Sequence, residues 1–359
     1  MNIEIAPNVR SLEVYQPGKP IEETQRELGI TDVIKLASNE NPLGPSPLAV
    51  EAITRTAQQL HLYPDGSGFH LKRALAEHLG VKTEELILGN GSNEILEFVL
   101  RAVVKPGHNV VIGWPSFVIY ALTAQAAGLE VRRVPMPNFH YDVDAMLAAV
   151  DARTRVVMIG HPSNPTGTYM PRADLEKLLD KVPQSTAVII DEAYVEYVDA
   201  PDYVEGLKVR RPNVLVLRTF SKAYGLAGLR AGYGVADPEL VGYLNRIREP
   251  FNVSALALAG ATAALKDSAH VKRCVEENRS ERARLTQAFT KLGGKVVPSQ
   301  ANFILVDFEK EAQPVYEALL KRGVITRPMH PYGLPTCLRL SFGTREENDR
   351  LIATLVSLK

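Results

Sequence analysis

The chain has 359 residues, more than one ordinary hydrophobic core organises, so two domains are expected. Lysine plus arginine and aspartate plus glutamate number 41 each, and this zero formal net charge removes the electrostatic case for nucleic acid or an anionic membrane surface. Its 45% hydrophobic and 23% charged residues are ordinary for a soluble globular protein, and no apolar run approaches the roughly 20 residues of a membrane span.

The opening residues, Met1 to Pro7, lack a basic segment followed by an apolar core, so no secretory signal is expected. Residues 1–33 are punctuated by Pro7, Pro17 and Pro20, with a short helix over 21–28, and read as an arm that packs on something else. A strand over 32–37 runs into the polar loop Ser38-Asn39-Glu40-Asn41-Pro42, which carries three prolines by Pro47. A helix over 48–60, a turn cluster over 61–68 and an amphipathic helix over 69–79 follow.

The pattern then changes to short β-branched runs alternating with helices. Strands are predicted over 86–88, 109–112, 130–134, 155–159, 187–190, 214–217 and 231–235, with helices over 92–104, 117–127, 143–149 and 172–181 between them. Runs that are apolar on both faces and separated by helices specify an α/β fold with a mainly parallel central sheet covered on both sides. Helices over 238–249 and 254–265 are broken at Pro250, and a charged helix over 268–292 ends at Gly293-Gly294. Strands over 295–297, 302–307, 324–327 and 338–342, with helices over 312–321 and 346–358, form a second, smaller α/β layer. The expected organisation is an N-terminal arm with part of the small domain over 1–50, a large ligand-binding domain over 51–250 and a small C-terminal domain over 251–359.

The chemistry concentrates after the run Val214-Leu215-Val216-Leu217, where Ser221-Lys222 sits among small residues with Arg230 further along. A lysine held in tight surroundings beside other cations gives up its proton and becomes free to condense with a carbonyl. A hydroxyl and a guanidinium suit a phosphate ester, so a Schiff-base lysine beside a phosphate anchor points to pyridoxal phosphate. A lone Ser-Lys pair in a strand-to-helix turn is ordinarily a surface feature, so the other strand ends have to carry the case.

Ligands of doubly wound sheets bind beyond the carboxyl ends of the strands. The strand at 86–88 leads to Gly89-Asn90-Gly91-Ser92-Asn93, which is either a phosphate cradle at a helix start or a plain helix cap. The strand at 155–159 leads to Asn164 between Pro162 and Pro165, either a turn or an amide held for a ring oxygen. The strand at 187–190 leads to Asp191-Glu192-Ala193-Tyr194. A buried carboxylate there requires a partner, and Asp191 is either a cap or metal ligand or the partner of a protonated pyridine nitrogen. Cys274 and Cys337 stand apart from any His or Cys at ligand spacing, so two thiols in a reducing compartment and no metal are expected.

These motifs together resemble the fold-type I, class I/II pyridoxal-phosphate aminotransferases, and among them the histidinol-phosphate aminotransferases. The likeness runs from Asn8-Val9-Arg10 to the C-terminal helix, through Tyr63-Pro64-Asp65, Asn164-Pro165-Thr166-Gly167, Ser221-Lys222 to Tyr233, and Leu338-Arg339. The resemblance implies that Lys222 is the Schiff-base lysine and proton shuttle, that Asp191 pairs with the pyridinium, and that Asn164 and Tyr194 hold the ring oxygen. It implies Ser92, Asn93, Ser221 and Arg230 around the phosphate, and Phe117 against the ring, although Phe117 also reads as plain core packing. Tyr63 is expected to reach the cofactor phosphate of a partner subunit, making a homodimer with shared sites. Arg339, with Tyr15 and Arg327, is expected to grip the substrate anion, and Asn39 to lie on the loop closing over it.

The activity implied is transamination of L-histidinol phosphate with 2-oxoglutarate, giving imidazole-acetol phosphate and L-glutamate, in a cytoplasmic histidine-biosynthesis enzyme. An aromatic amino acid aminotransferase and a threonine-phosphate decarboxylase on the same frame stand as alternatives. A DNA-binding regulator carrying such a domain is not expected, because the N-terminal arm is short and the charge is balanced. A nicotinamide dehydrogenase reading of Gly225, Gly228 and Gly232 fails, because no acidic residue ends the next strand.

Overall fold

A computed structural model describes residues 3–358, so the first two residues read for a secretory signal, and the outermost residues of the expected segments 1–50 and 251–359, lie outside the described residues. The N-terminal arm reaches its first strand at Ile34–Lys35 (β1). The alternating region supplies Leu86–Asn90 (β2), Asn109–Trp114 (β3), Glu130–Pro135 (β4), Thr154–Gly160 (β5), Ala187–Asp191 (β6), Val214–Thr219 (β7) and Ala231–Val235 (β8). These form one sheet in the order β2-β8-β7-β6-β5-β3-β4. From β7 through β4 neighbouring strands are parallel, whereas β8 runs antiparallel to both β7 and β2.

Strand alternation explains the double-sided apolar pattern. Ile112, Met158, Ile189 and Leu215 face the helices Ser92–Val103, Val118–Ala126 and Pro238–Ile247. Val111, Val157, Val188, Ile190 and Val216 face Val143–Ala148 and Arg172–Lys181. Each such buried aliphatic side chain contributes about 1.5–3 kcal/mol of transfer free energy. The helices Pro47–Ala57, Phe69–Leu79 and Ala255–Ala264 pack together beside β2 and β8, so the chain stays with the large sheet to about Ala264.

The helix Ser268–Lys291 then crosses to the small layer. It stops at Gly293, whose φ of +82° turns the chain back. Lys295–Val297 (β9), Phe303–Asp307 (β10), Val324–Ile325 (β11), Arg327–Pro328 (β12) and Cys337–Ser341 (β13) follow. Four of them form the antiparallel sheet β12-β13-β10-β9. The single strand expected over 324–327 is two, because β11 pairs parallel with β1 (Ile34↔Val324) while β12 pairs antiparallel with β13. One backbone edge cannot bond two differently directed partners, so the chain changes sheets at buried Thr326. The strand expected over 32–37 shortens to β1 for a related reason: residues beyond Leu36 leave the pairing to form a cavity wall.

Candidate active site

Four chain segments meet at one edge of the large sheet. β5, β6 and β7 end there, and antiparallel β8 begins there, which brings Arg230 to the same edge as Lys222. Between this edge and the small layer lies a cavity of about 280 Å³. Tyr15, Asn39, Ser92, Asn93, Phe117 and Asn164 line it, as do Asp191, Tyr194, Ser221, Lys222, Arg230, Arg327 and Arg339. Of the residues predicted from sequence only Tyr63 lies elsewhere. It is 83% exposed, stacked on Phe251 at 4.9 Å, on the wall of a separate apolar groove.

At one end the helix Ser92–Val103 points its N-terminus into the cavity, with Gly91 as an N-cap that supplies no side-chain bond to the first turn. Free N–H groups and the helix dipole make this an anion seat. Two glycines keep it open. A Cβ on Gly91 would stand 2.6 Å from Arg230 Nη2, and one on Gly232 would stand 2.4 Å from Ser92 N. Ser221 Oγ lies 3.0 Å from Thr219 Oγ1. Arg230 has φ +56° and donates from Nη1 to Ala227 O at 3.2 Å, leaving Nη2 toward the seat.

Deeper in, Asp191 is buried and accepts two hydrogen bonds, from Tyr120 Oη to Oδ2 at 2.7 Å and from Ala193 N to Oδ1 at 3.2 Å. Burial pushes its carboxyl up to about 6, against the pull of those two donors and of Lys222. Tyr120 was not singled out by sequence, because its helix reads as a covering helix. The available signal was its position one turn after Phe117, whose ring packs edge-on against it at 5.5 Å.

Tyr194 Oη accepts from Asn39 Nδ2 at 3.0 Å, and burial pushes the phenol up to about 12, so it remains a donor at neutral pH. Asn39 is fixed by Ser341, whose Oγ accepts from Asn39 N and donates to Asn39 Oδ1, both at 2.8 Å, and by Asn302 Nδ2 on Asn39 O at 3.0 Å. Ser341 and Asn302 carried no sequence signal; they lie far along the chain, on and beside β13 and β10. Asn164 Oδ1 accepts from Arg339 Nη1 at 2.6 Å, which leaves its amide N–H groups to donate.

Lys222 reaches Ser38 O at 3.3 Å. Its pKa falls to about 8 through burial first, then Arg339, with Glu40 opposing and Arg230 adding. Arg339, also buried, donates to Ala37 O at 2.5 Å, and its Nε has no hydrogen-bond partner among the described residues. Arg327 lies directly across from it in the β12–β13 register, donates to Gln16 O at 2.6 Å, and sits 6.0 Å from the Tyr15 ring. His161 takes no part in the cavity wall: it lies 2.9 Å from Val204 O, stacks on Tyr203 at 4.2 Å, and burial draws its pKa down to about 4. No group of metal-ligating side chains occurs among the described residues.

A lowered-pKa lysine, a buried carboxylate, a helix-start anion seat and a buried arginine surround one cavity on an α/β frame. The chain belongs to the class I and II aminotransferases, whose family profile matches residues 31–355. It is 50% identical over 355 residues to a histidinol-phosphate aminotransferase of Anaeromyxobacter sp. (strain Fw109-5), covering 98% of each chain. A histidinol-phosphate aminotransferase of Moorella thermoacetica is 50% identical over 350 residues, with 97% of this chain and 91% of that one covered. The crystal structure of histidinol-phosphate aminotransferase from Sinorhizobium meliloti, in complex with pyridoxal-5'-phosphate, superposes with a TM-score of 0.91 at 30% identity, covering 99% of this chain and 98% of that one.

Proposed function

We propose that this aminotransferase uses pyridoxal phosphate to move the amino group of L-histidinol phosphate to 2-oxoglutarate, giving imidazole-acetol phosphate and L-glutamate in the route to histidine. The cavity's donors fit the cofactor end by end. The Gly91-open helix start with Ser92, Asn93, Ser221 and Arg230 suits its phosphate, Asp191 its ring nitrogen, and Asn164 with Tyr194 its ring oxygen, while the Phe117 ring offers a stacking wall. Bound there, pyridoxal phosphate supplies the electron sink for breaking a bond at the substrate's amino-bearing carbon.

The protein's own part follows from its groups. Lys222, with its pKa near 8, takes a proton at Nζ and returns it without leaving the working pH range. Asp191 offers a buried negative charge to a protonated ring nitrogen. Tyr194 and Asn164 donate to an oxygen that carries charge, and Arg339 grips the anion of either substrate.

One observation carries the substrate assignment: Arg327 and Arg339 are directly opposed in the β12–β13 register, both lining the cavity. Like charges placed opposite one another cost stability, and a dianionic phosphate between them repays it with charge-assisted bonds. Tyr15 beside Arg327 adds a further donor. The names of the curated relatives support the same substrate.

A homodimer with shared sites completes the reading. Exposed Tyr63, the apolar groove it borders and exposed Leu48 and Leu62 support a second copy covering this face. We assign the enzyme to the cytoplasm. Two buried, unpaired cysteines support a reducing compartment, and no described helix is long and apolar enough to cross a membrane.

The test is a steady-state comparison of histidinol phosphate and phenylalanine as amino donors, with 2-oxoglutarate as acceptor. The phosphate ester is expected to have the higher kcat/KM. A preference for phenylalanine overturns the assignment, and carbon dioxide release from a phosphorylated amino acid without a keto-acid acceptor points to a decarboxylase instead.

A further inference from the structure

We propose that Tyr120 is a positioning residue for Asp191: its phenol O–H keeps the carboxylate ionised and aimed into the cavity, and so sets how firmly the site holds a protonated ring nitrogen. The proposal rests on the pyridoxal phosphate reading and adds a residue to it.

The geometry comes from strand alternation. Ile189 and Asp191 are two apart on β6 and project to the face covered by the helix Val118–Ala126. Tyr120 on that helix is 1% exposed, so its hydroxyl needs an internal partner, and Asp191 Oδ2 at 2.7 Å is that partner. The neighbouring strand leaves the space: Gly160 is the register partner of Asp191, and a Cβ there would already touch Tyr120 Oη at 3.5 Å.

A carboxylate has about four acceptor positions. Tyr120 and the Ala193 N–H occupy one on each oxygen, which leaves capacity facing the cavity that Asp191 lines. Both donors favour the ionised acid, whereas burial favours the neutral one. A neutral acid cannot pair with a ring N–H⁺. The charged or titratable groups around Asp191 are Glu192 on its own strand end, Lys222, Tyr120, Tyr141 and Tyr194. Tyr120 stays protonated throughout, its pKa driven well above the ordinary phenol value by burial and by Asp191. Phe117, one turn earlier, packs edge-on to the Tyr120 ring, so one helical turn presents both the stacking wall and the donor behind Asp191.

The test uses Tyr120→Phe, Asp191→Asn and the double variant of the full chain. Two quantities are read: the dissociation constant for pyridoxal phosphate, by titrating cofactor-free protein, and the carboxyl titration of Asp191 in the cofactor-free state, by carbon-13 NMR. Tyr120→Phe keeps the ring and its packing. It is expected to weaken cofactor binding about tenfold or more and to move the Asp191 midpoint upward. In the Asp191→Asn background the same substitution is expected to change affinity less than about twofold, because its route of action is gone. An unchanged midpoint, or an equal loss of affinity in both backgrounds, overturns the proposal. Failure of the unaltered chain to bind pyridoxal phosphate overturns the cofactor reading, and the NMR titration still decides the Tyr120–Asp191 link.

Discussion

Arg339 Nη1 donates to Asn164 Oδ1 across 2.6 Å, which joins the guanidinium assigned to the substrate anion to the amide assigned to the cofactor's ring oxygen. The two residues come from different layers, β13 and the loop after β5, so this contact also ties the small sheet to the large one. Arg339→Lys keeps the charge but loses the planar fork that serves Asn164, Ala37 and an anion together. We expect kcat/KM to fall about a hundredfold for both half-reactions, with a raised KM, measured by steady-state kinetics. A change in one half-reaction only contradicts a shared anion site.

Lys222 titrates near 8 because burial and Arg339 disfavour its ammonium form. The amine is therefore charged below about 8 and free above it, where an ordinary lysine is still protonated. An amine-directed reagent applied to cofactor-free protein is expected to label Lys222 with a rate that rises with pH and levels off above about 8. Lys222→Ala is expected to abolish that labelling and the transaminase activity. A labelling profile that keeps rising to pH 10 or beyond contradicts the lowered pKa.

Asp191 titrates near 6 in the folded chain against an ordinary 3.8, so the folded state binds the extra proton between those values. Below about 4 the acid is protonated in both states and contributes nothing, a cost accumulates as pH rises through about 6, and it is present at pH 7. Asp191→Asn is expected to stabilise the cofactor-free protein at pH 7 by about 3 kcal/mol, to leave its stability at pH 4 nearly unchanged, and to weaken cofactor binding. Denaturant melts at the two pH values, read with a cofactor titration, check all three.

Tyr63 lies outside the cavity and faces solvent in the single chain. If a second copy brings its own Tyr63 to the anion seat, Tyr63→Ala and Lys222→Ala damage different halves of one shared site. Mixed dimers of the two variants then contain one intact site, and an equimolar reassociated mixture is expected to recover about a quarter of the unaltered activity. Activity no greater than the average of the two separate variants removes the shared site.

The cavity was legible from sequence to the extent that its residues sit at strand ends. Lys222, Asp191 and Asn164 follow apolar runs directly, and the parallel-sheet rule puts such ends together without knowledge of the packing. Arg230 is legible for the same reason once β8 is a strand, although its antiparallel direction was not. The partners of these residues were not legible. Tyr120 meets Asp191 across 71 residues, and Ser341 meets Asn39 across 302. Helix rotation and loop path decide those contacts. The division of the predicted 324–327 strand at Thr326 has the same origin, since pairing with β1 or with β13 depends on where the N-terminal arm lies.

By itself, then, the sequence determined the α/β frame and the placing of Lys222, Asp191 and Asn164 just beyond strand ends, because hydrophobic period and turn chemistry are local. The tertiary structure alone decided the pKa of Lys222, the twofold support of Asp191, the opposition of Arg327 and Arg339, and the link from Arg339 to Asn164. Each depends on desolvation or on a hydrogen bond between segments distant in the chain. Both energies exist only once the layers have closed around the cavity.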